Sequence, residues 1–261
     1  MKIHRFIIED SAARKDVIFL RANDADNIGF PKKSSITHFD GHEKNIRMYE
    51  KEVVNQMRNV LKLKEGEKVI LADGKLNEML GSIGILGKDF IEVKVEKFYK
   101  NENEVWANVV LYCSVLKKEN FELVVQKATE VGVKEIMPII SKRTVKLHFK
   151  KSRLEKIIKE AAEQSGRGMI PILHDAADFN TAIKRAGVND VNLFFDARGK
   201  NVKDFLHKGK QRIGIFIGPE GGFDEEELRL AAENGFKIVS LGKLTLRGET
   251  AAIVASYLAL G

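Results

Sequence analysis

Two short β-branched runs, each closed by a glycine turn and each followed by a helix signal, constrain the last fifty residues more than any other feature constrains the chain. The first runs from Ile213 to Ile217 and meets Gly218-Pro219-Glu220-Gly221-Gly222-Phe223; the second runs from Ile238 to Leu241 and meets Gly242, followed by Leu244-Thr245-Leu246-Arg247-Gly248. Apolar runs this short, bounded by glycine, read as buried strands. Asp224 and Glu227 stand at capping-box spacing and predict a helix that ends at Gly235. Further upstream, strand signals at 105–113, 135–140, 171–173 and 191–196 alternate with helical stretches beginning at Asn120, Ser152 and Phe179. Such alternation predicts an α/β fold with a mostly parallel sheet covered on both faces. The final helix, Glu249 to Leu260, is nearly apolar throughout and belongs against the sheet or against another subunit.

A glycine turn feeding a helix N-terminus commonly cradles a phosphate. Here the helix opens with Asp224, Glu225, Glu226 and Glu227, which would repel one. No Gly-Lys-Ser/Thr follows, and the glycines do not match the dinucleotide fingerprint, so a Rossmann dehydrogenase fits poorly. The turn suits a neutral or cationic ligand held through backbone groups, such as an adenosine-type molecule carrying a sulfonium.

The first hundred residues read differently. A strand over 3–8, an irregular stretch over 9–44, helical spacing over 46–62 (Ile46, Val53, Val54, Met57, Val60, Leu61), an Asp73-Gly74 hairpin and strands over 79–86 and 90–98 suggest a small β-barrel. The polar linker 100–104 is the natural boundary. Pro138 within the 135–140 strand favours an edge position or a bulge, and Ser152-x-x-Glu155 reads as a capping box. The single cysteine, Cys113, excludes a disulfide framework and reads as a small core residue. No run is long and apolar enough for a signal peptide or a membrane span, which makes the cytoplasm the expected compartment. The six histidines (4, 38, 42, 148, 174 and 207) form no metal-ligand spacing, so no metal is expected.

The net charge is +7. Residues 1–104 carry only +1 of it, whereas 142–167 hold nine basic residues (Lys142, Arg143, Lys146, Lys150, Lys151, Arg153, Lys156, Lys159, Arg167) against three acidic ones. A concentration of that kind is either a solvated helix face or a nucleic-acid footprint.

Phe216-Ile-Gly-Pro-Glu-Gly-Gly-Phe223 and Leu246-Arg-Gly-Glu-Thr-Ala251 resemble the two C-terminal motifs of SPOUT methyltransferases. With Gln126-Lys-Ala-Thr-Glu-Val-Gly-Val133 and Ala161-Ala-Glu-Gln-Ser-Gly-Arg167, they resemble more narrowly the family that methylates N3 of one uridine in 16S ribosomal RNA. That resemblance covers about the last 150 residues. It implies a PUA-like RNA-binding barrel over 1–100 and a SPOUT domain over 104–261, with a trefoil knot that ordinary connection rules would not predict. It further implies S-adenosylmethionine as cofactor, a homodimer with sites completed across the interface, and 16S rRNA of the small ribosomal subunit as partner.

In this chain the implied cofactor loops hold Phe195, Ile217, Gly218, Pro219, Glu220, Gly221, Gly222, Leu241, Gly242, Leu244, Leu246 and Arg247. The implied RNA contacts are Arg5, Arg58, Lys62, Glu130, Arg143 and Arg167. The segment Arg58–Lys64 is similar to a basic stretch of the family, with Lys62 where arginine is common; the family's histidine just upstream is not evident. Methylating uracil N3 needs a base for the N3 proton and a donor for charge spreading onto the flanking carbonyls. Arg247 is the candidate donor. Glu249 is the candidate base, with Glu220 and Glu130 beside it; equally, Glu249 could simply complement the helix dipole. Alternatives within the fold are ribose 2′-O-methylation of rRNA or tRNA and a non-catalytic RNA-binding or assembly factor.

Overall fold

The computed structural model describes residues 3–8, 45–105, 107–145, 149–205 and 211–261. The readings on 9–44, Trp106, Lys146 and the histidines at 38, 42, 148 and 207 lie outside those residues. The chain divides into two compact units, one of Met1–Asn103 with Gly166–Met169, the other of Glu104–Ser165 with Ile170–Gly261.

The first unit contains a five-stranded sheet in the order β1-β3-β4-β5-β2, with β1 His4–Ile7, β2 Asn45–Met48, β3 Lys68–Ala72, β4 Asn77–Leu86 and β5 Ile91–Lys100. β1 pairs parallel with β3, and the other ladders are antiparallel. The helix expected over 46–62 is shorter than its spacing implied. Ile46 and Met48 alternate inward along β2 while Arg47 faces out, and helix begins only at α1, Lys51–Asn55, continuing as a π-turn over Gln56–Val60. Period-two burial across a strand overrides the helical count, since β5 offers Ile46 and Met48 a ladder. Phe6, Met48, Met57, Leu71, Met79, Ile91 and Val93 form the core of this unit.

Gly166–Met169 belongs to this unit although it follows a helix of the other. Leu76 N donates to Gly168 O at 2.7 Å, Asn101 Nδ2 to Gly166 O at 3.0 Å, and Lys75 bridges Met169. A side chain on Gly168 would run into Asn101 at 2.6 Å, so the close approach requires glycine.

The second unit is a parallel sheet in the order β12-β10-β11-β6-β7-β8, with β9 also on β7. Its strands are β6 Asn108–Ser114, β7 Glu135–Ile140, β8 Ile172–Leu173, β9 Ala177–Asp178, β10 Val191–Asn201, β11 Arg212–Ile217 and β12 Lys237–Ser240. The helices are α2 Lys118–Val131, α3 Lys151–Ser165, α4 Phe179–Ala186, α5 Glu225–Glu233 and α6 Gly248–Leu260. Strand alternation splits the core in two. Val109, Leu111 and Cys113 pack with residues of α2, α3 and α6, whereas Val110 and Tyr112 join those of α4 and α5. Each fully buried large apolar side chain is worth about 1.5–3 kcal/mol.

Pro138 sits neither at an edge nor in a bulge. It pairs with Cys113 on β6, and on the other side β8 pairs only Glu135 and Ile136 while β9 pairs only Ile139 and Ile140. The proline thus falls in the gap between two short strands. Ser152 does not cap α3 either: the helix starts at Lys151, and Lys150 O already accepts from Arg153 N and Leu154 N. α6 is buried at Glu249, Ala252, Ala255, Ser256 and Ala259 but leaves Val254 and Tyr257 exposed. Among the described residues no helix is long and apolar enough to cross a membrane.

Candidate functional site

The C-terminal ends of four parallel strands deliver the residues of the site. β11 ends at Ile217 and the chain turns through Gly218–Gly222, closed by a bond from Gly222 N to Pro219 O at 2.8 Å. Gly222 takes φ +67°, a left-handed conformation that glycine adopts without strain, and a side chain there would meet nothing within 4 Å. Gly218 is confined instead: an added Cβ would stand 3.0 Å from the Phe223 ring. Phe223 is itself anchored in the core, its ring centroid 4.3 Å from that of Phe194. The next residue, Asp224, starts α5 with the expected capping box, Asp224 Oδ1 accepting from Glu227 N at 2.8 Å and Glu227 Oε2 from Asp224 N at 2.9 Å.

The second glycine stretch comes to the first. Gly248, at the start of α6, lies so close to the residues after β6 that an added Cβ would stand 3.0 Å from Leu116 and 3.7 Å from Gly218 O. Leu241 is half-buried, and Gly242 (φ +130°), Leu244, Leu246 and Arg247 are exposed. Leu244 is 82% exposed. Arg247 occupies the N-cap position of α6, where its side chain makes no capping bond. Glu249 is buried, 8% exposed, and its Oε2 has no hydrogen-bond partner among the described residues. An unpaired buried carboxylate oxygen is costly for stability alone.

β10 contributes the third wall. Phe195 pairs with Ile217 and Val239, and the register then slips so that Lys200 also stands opposite Val239. The slipped residues are held by Arg198, which forks onto Asp196 (Nε to Oδ1 2.7 Å, Nη2 to Oδ2 3.0 Å) and reaches Glu225 Oε1 at 2.5 Å. Arg198 holds the Asp196 carboxyl below its ordinary value.

The mouth of the first turn is acidic. Glu220 Oε1 accepts from Lys117 N at 3.1 Å, and Asp224 with Glu226 engages Lys142 Nζ at 2.8 and 3.3 Å. Lys142, then the Glu227 backbone N–H, hold Asp224 below the ordinary aspartate range. The left-handed Gly222 turn beside its acidic rim, with the exposed Gly242, fits a ligand that combines an adenosine with a positive sulfonium better than one that presents a phosphate. Cys113, beneath the turn, is fully buried; burial, then the nearby Glu220, push its thiol up, away from nucleophilic use.

The residues expected to meet RNA have the following settings. Arg5 is 12% exposed and paired with the buried Glu78, which also accepts from Asn101 Nδ2 at 2.5 Å. Arg167 is 5% exposed and engaged within the protein. Arg143 donates to Gly221 O at 2.8 Å, and Glu130 is bound by Lys127 at 2.8 Å. Arg58 is exposed on the π-turn and donates to Gly87 O at 2.8 Å. Lys62 is exposed at φ +53° just beyond it. Within 142–167, Lys142 forms a surface ion pair with Asp224, Lys151 with Asp175 and Arg153 with Glu122. Sequence reasoning missed Lys117, Arg198 and the Ser114–Ser141 hydroxyl pair (3.1 Å), because each acts on a partner distant in sequence or through a backbone atom that no motif records. A surface groove of about 530 Å³ between α2 and α3, lined by Glu122, Gln126, Arg153 and Gln164 among others, shares no residue with the glycine turns. Among the described residues no cluster of three metal-ligating side chains occurs.

The RNA methyltransferase domain family matches residues 101–259. A ribosomal RNA small subunit methyltransferase E of Mesomycoplasma hyopneumoniae is 39% identical over 164 residues, 61% of this chain and 71% of the relative. One from Rickettsia conorii is 31% identical, covering 77% and 84%. Among solved structures, the Neisseria gonorrhoeae ribosomal RNA small subunit methyltransferase E bound to S-adenosyl methionine matches with a TM-score of 0.78 at 26% identity over 98% of this chain and 95% of that one. A methyltransferase from Legionella pneumophila in complex with the bound cofactor SAM matches at 0.74 and 30% identity, covering 82% and 90%. With a parallel α/β unit whose strand ends gather the two glycine motifs, and with relatives at this level over most of its length, the chain belongs to the ribosomal RNA small subunit methyltransferase E family.

Proposed function

We propose that this protein transfers a methyl group from S-adenosylmethionine to N3 of a specific uridine in 16S rRNA of the small ribosomal subunit. The observation that carries the reading is the convergence of Gly218–Gly222 with Arg247–Glu249, brought about by the packing of Gly248 beside Gly218 O and Leu116. The relatives described as small-subunit rRNA methyltransferases, two of the solved structures with cofactor bound among the similar folds, support the cofactor and the substrate class.

When bound, the cofactor would supply an electrophilic methyl on a cationic sulfur. The protein's part is to hold that group at the glycine turns and to prepare the uracil. Phe195, Ile217, Leu241, Leu244 and Leu246 provide apolar side chains, and the backbone of Gly218–Gly222 and Gly242 provides polar groups for an adenosine. Glu249, with a buried and unpartnered oxygen, takes the N3 proton. Arg247, exposed and uncapped at the head of α6, supplies N–H donors to the uracil carbonyl oxygens as charge spreads onto them. Transfer of this kind depends more on alignment than on a strong catalyst.

In this reading the first unit acts as a PUA-like RNA-binding module through its exposed Arg58 and Lys62, and the second as a SPOUT domain whose C-terminal segment is knotted. The exposed Val254 and Tyr257 on an otherwise buried apolar helix suit a homodimer. The compartment that fits is the cytoplasm, where small subunits are assembled.

The test is methyl transfer from labelled S-adenosylmethionine to small subunits lacking the modification, followed by mapping of the labelled nucleoside. Label in 3-methyluridine at one site is expected; label on a ribose, which blocks alkaline cleavage, would overturn the base specificity. Glu249→Gln is expected to lower kcat by roughly 10²–10⁴-fold with cofactor affinity retained. Unchanged kcat in that variant would return Glu249 to a helix-dipole role.

A further inference from the structure

The turn that follows β7, Ser141–Thr144, is fastened to the glycine turn and to the start of α5. Lys142 N donates to Glu227 Oε1 at 2.8 Å, leaving Glu227 Oε2 for the capping box. Lys142 Nζ meets Asp224 Oδ2 at 2.8 Å. Beneath them Ser141 Oγ lies 3.1 Å from Ser114 Oγ and 2.8 Å from Thr144 Oγ1, tying this turn to the end of β6. Arg143 completes the attachment: its Nη1 donates to Gly221 O at 2.8 Å, and its stem lies along Gly221, so that an added Cβ there would stand 3.5 Å from Arg143 Cδ.

One peptide group receives the Arg143 guanidinium. The Gly221–Gly222 peptide has its carbonyl bound by Arg143 and its N–H bound by Pro219 O at 2.8 Å. Two successive glycines place no steric barrier against rotation of the peptide between them. The Pro219 carbonyl fixes one end through a local turn, and the guanidinium, arriving from a different strand end, fixes the other.

We infer that Arg143 is a positioning residue for the cofactor turn, locking the Gly221–Gly222 peptide in the orientation that presents the turn to S-adenosylmethionine. The inference rests on the cofactor reading above and deepens it. Arg143 thereby acts through Gly221 and not through an RNA phosphate. A charge-assisted bond to a carbonyl is among the stronger hydrogen bonds of a protein surface. Its loss leaves a peptide that samples both orientations and binds cofactor only in one.

The experiment compares wild type, Arg143→Met and Arg143→Lys by calorimetric titration with S-adenosylmethionine and by steady-state methyl transfer to small subunits. Arg143→Met is expected to weaken cofactor binding about tenfold, with kcat at saturating cofactor and KM for the subunit both near wild type. Arg143→Lys, which keeps a donor within reach of Gly221 O, should recover most of that affinity. Arg153→Met, which removes an exposed arginine that pairs with Glu122 away from the glycine turns, serves as the control and should leave cofactor affinity unchanged. Unaltered cofactor affinity in Arg143→Met with a raised KM for the subunit would overturn the inference in favour of a phosphate contact. Equal loss in the Met and Lys variants would overturn the hydrogen-bond role. Failure of wild type to bind S-adenosylmethionine would strike the cofactor reading itself, which separates the two failures.

Discussion

At the scale of single residues, the glycines of the first turn divide into two kinds. Gly218 is small because the space beside it is taken by Phe223, and Gly222 is glycine because its backbone is left-handed while the space beside it is open. The two requirements have different experimental signatures. Gly218→Ala pushes against an anchored ring, an overpacking effect of about 1–3 kcal/mol, and is expected to shift the turn and abolish cofactor binding. Gly222→Ala meets no neighbour and should cost about 1 kcal/mol of stability while cofactor affinity falls far less. Thermal unfolding and calorimetric titration of the two variants check this; a Gly222→Ala protein that loses more cofactor affinity than Gly218→Ala refutes the distinction. The presence of both glycines was legible from the sequence, but the reason for each was not, since φ and the position of Phe223 are properties of the folded turn.

At the scale of elements, the capping box of α5 does more than start a helix. Asp224 serves the Glu227 N–H and Lys142 together, and its carboxyl is held below the ordinary aspartate value, first by Lys142. The stabilisation is therefore complete above the unfolded-state aspartate pKa of about 3.9 and is lost as pH falls through the lower folded-state value. Asp224→Asn should accordingly be less stable than wild type at neutral pH, and the gap should close on acidification below that range, as urea unfolding at a series of pH values would show. A gap that stays constant with pH would mean that the carboxylate charge is not what matters. Element by element, the second unit was readable where spacing was local. The start of α4, the α5 capping box and the strands before each glycine turn follow from contiguous residues. Pro138 and β2 take their settings from the strands that pair beside them, and Ser152 from its own helix starting one residue earlier, at Lys151, which a local window does not fix. The basic stretch shows the same limit: Lys142 and Arg143 reach Asp224 and Gly221, some eighty residues on, and no local window records those partners.

At the scale of the whole molecule, the chain crosses between its two units three times, at 103/104, 165/166 and 169/170. A protease site inserted between Asn103 and Glu104 should therefore yield fragments that still co-elute under native conditions, because Gly166–Met169 remains built into the first unit through Leu76, Asn101 and Lys75. Asn101→Ala, which removes the bond to Gly166 O, should make the nicked fragments separate more readily in size-exclusion chromatography. Clean separation of the unaltered nicked protein would contradict this account. Residues 100–104 read in the sequence as a polar run, although Lys100 ends β5 and Asn101 is buried, and the return of four residues from beyond α3 was not visible, since it rests on a glycine fitting against Asn101. The same four residues set a limit on how the molecule can be recombined. A chimera that grafts a foreign N-terminal module onto this methyltransferase unit at residue 104 would leave the module without the returning segment that packs on it, so a working exchange must transplant 166–169 along with the first hundred residues.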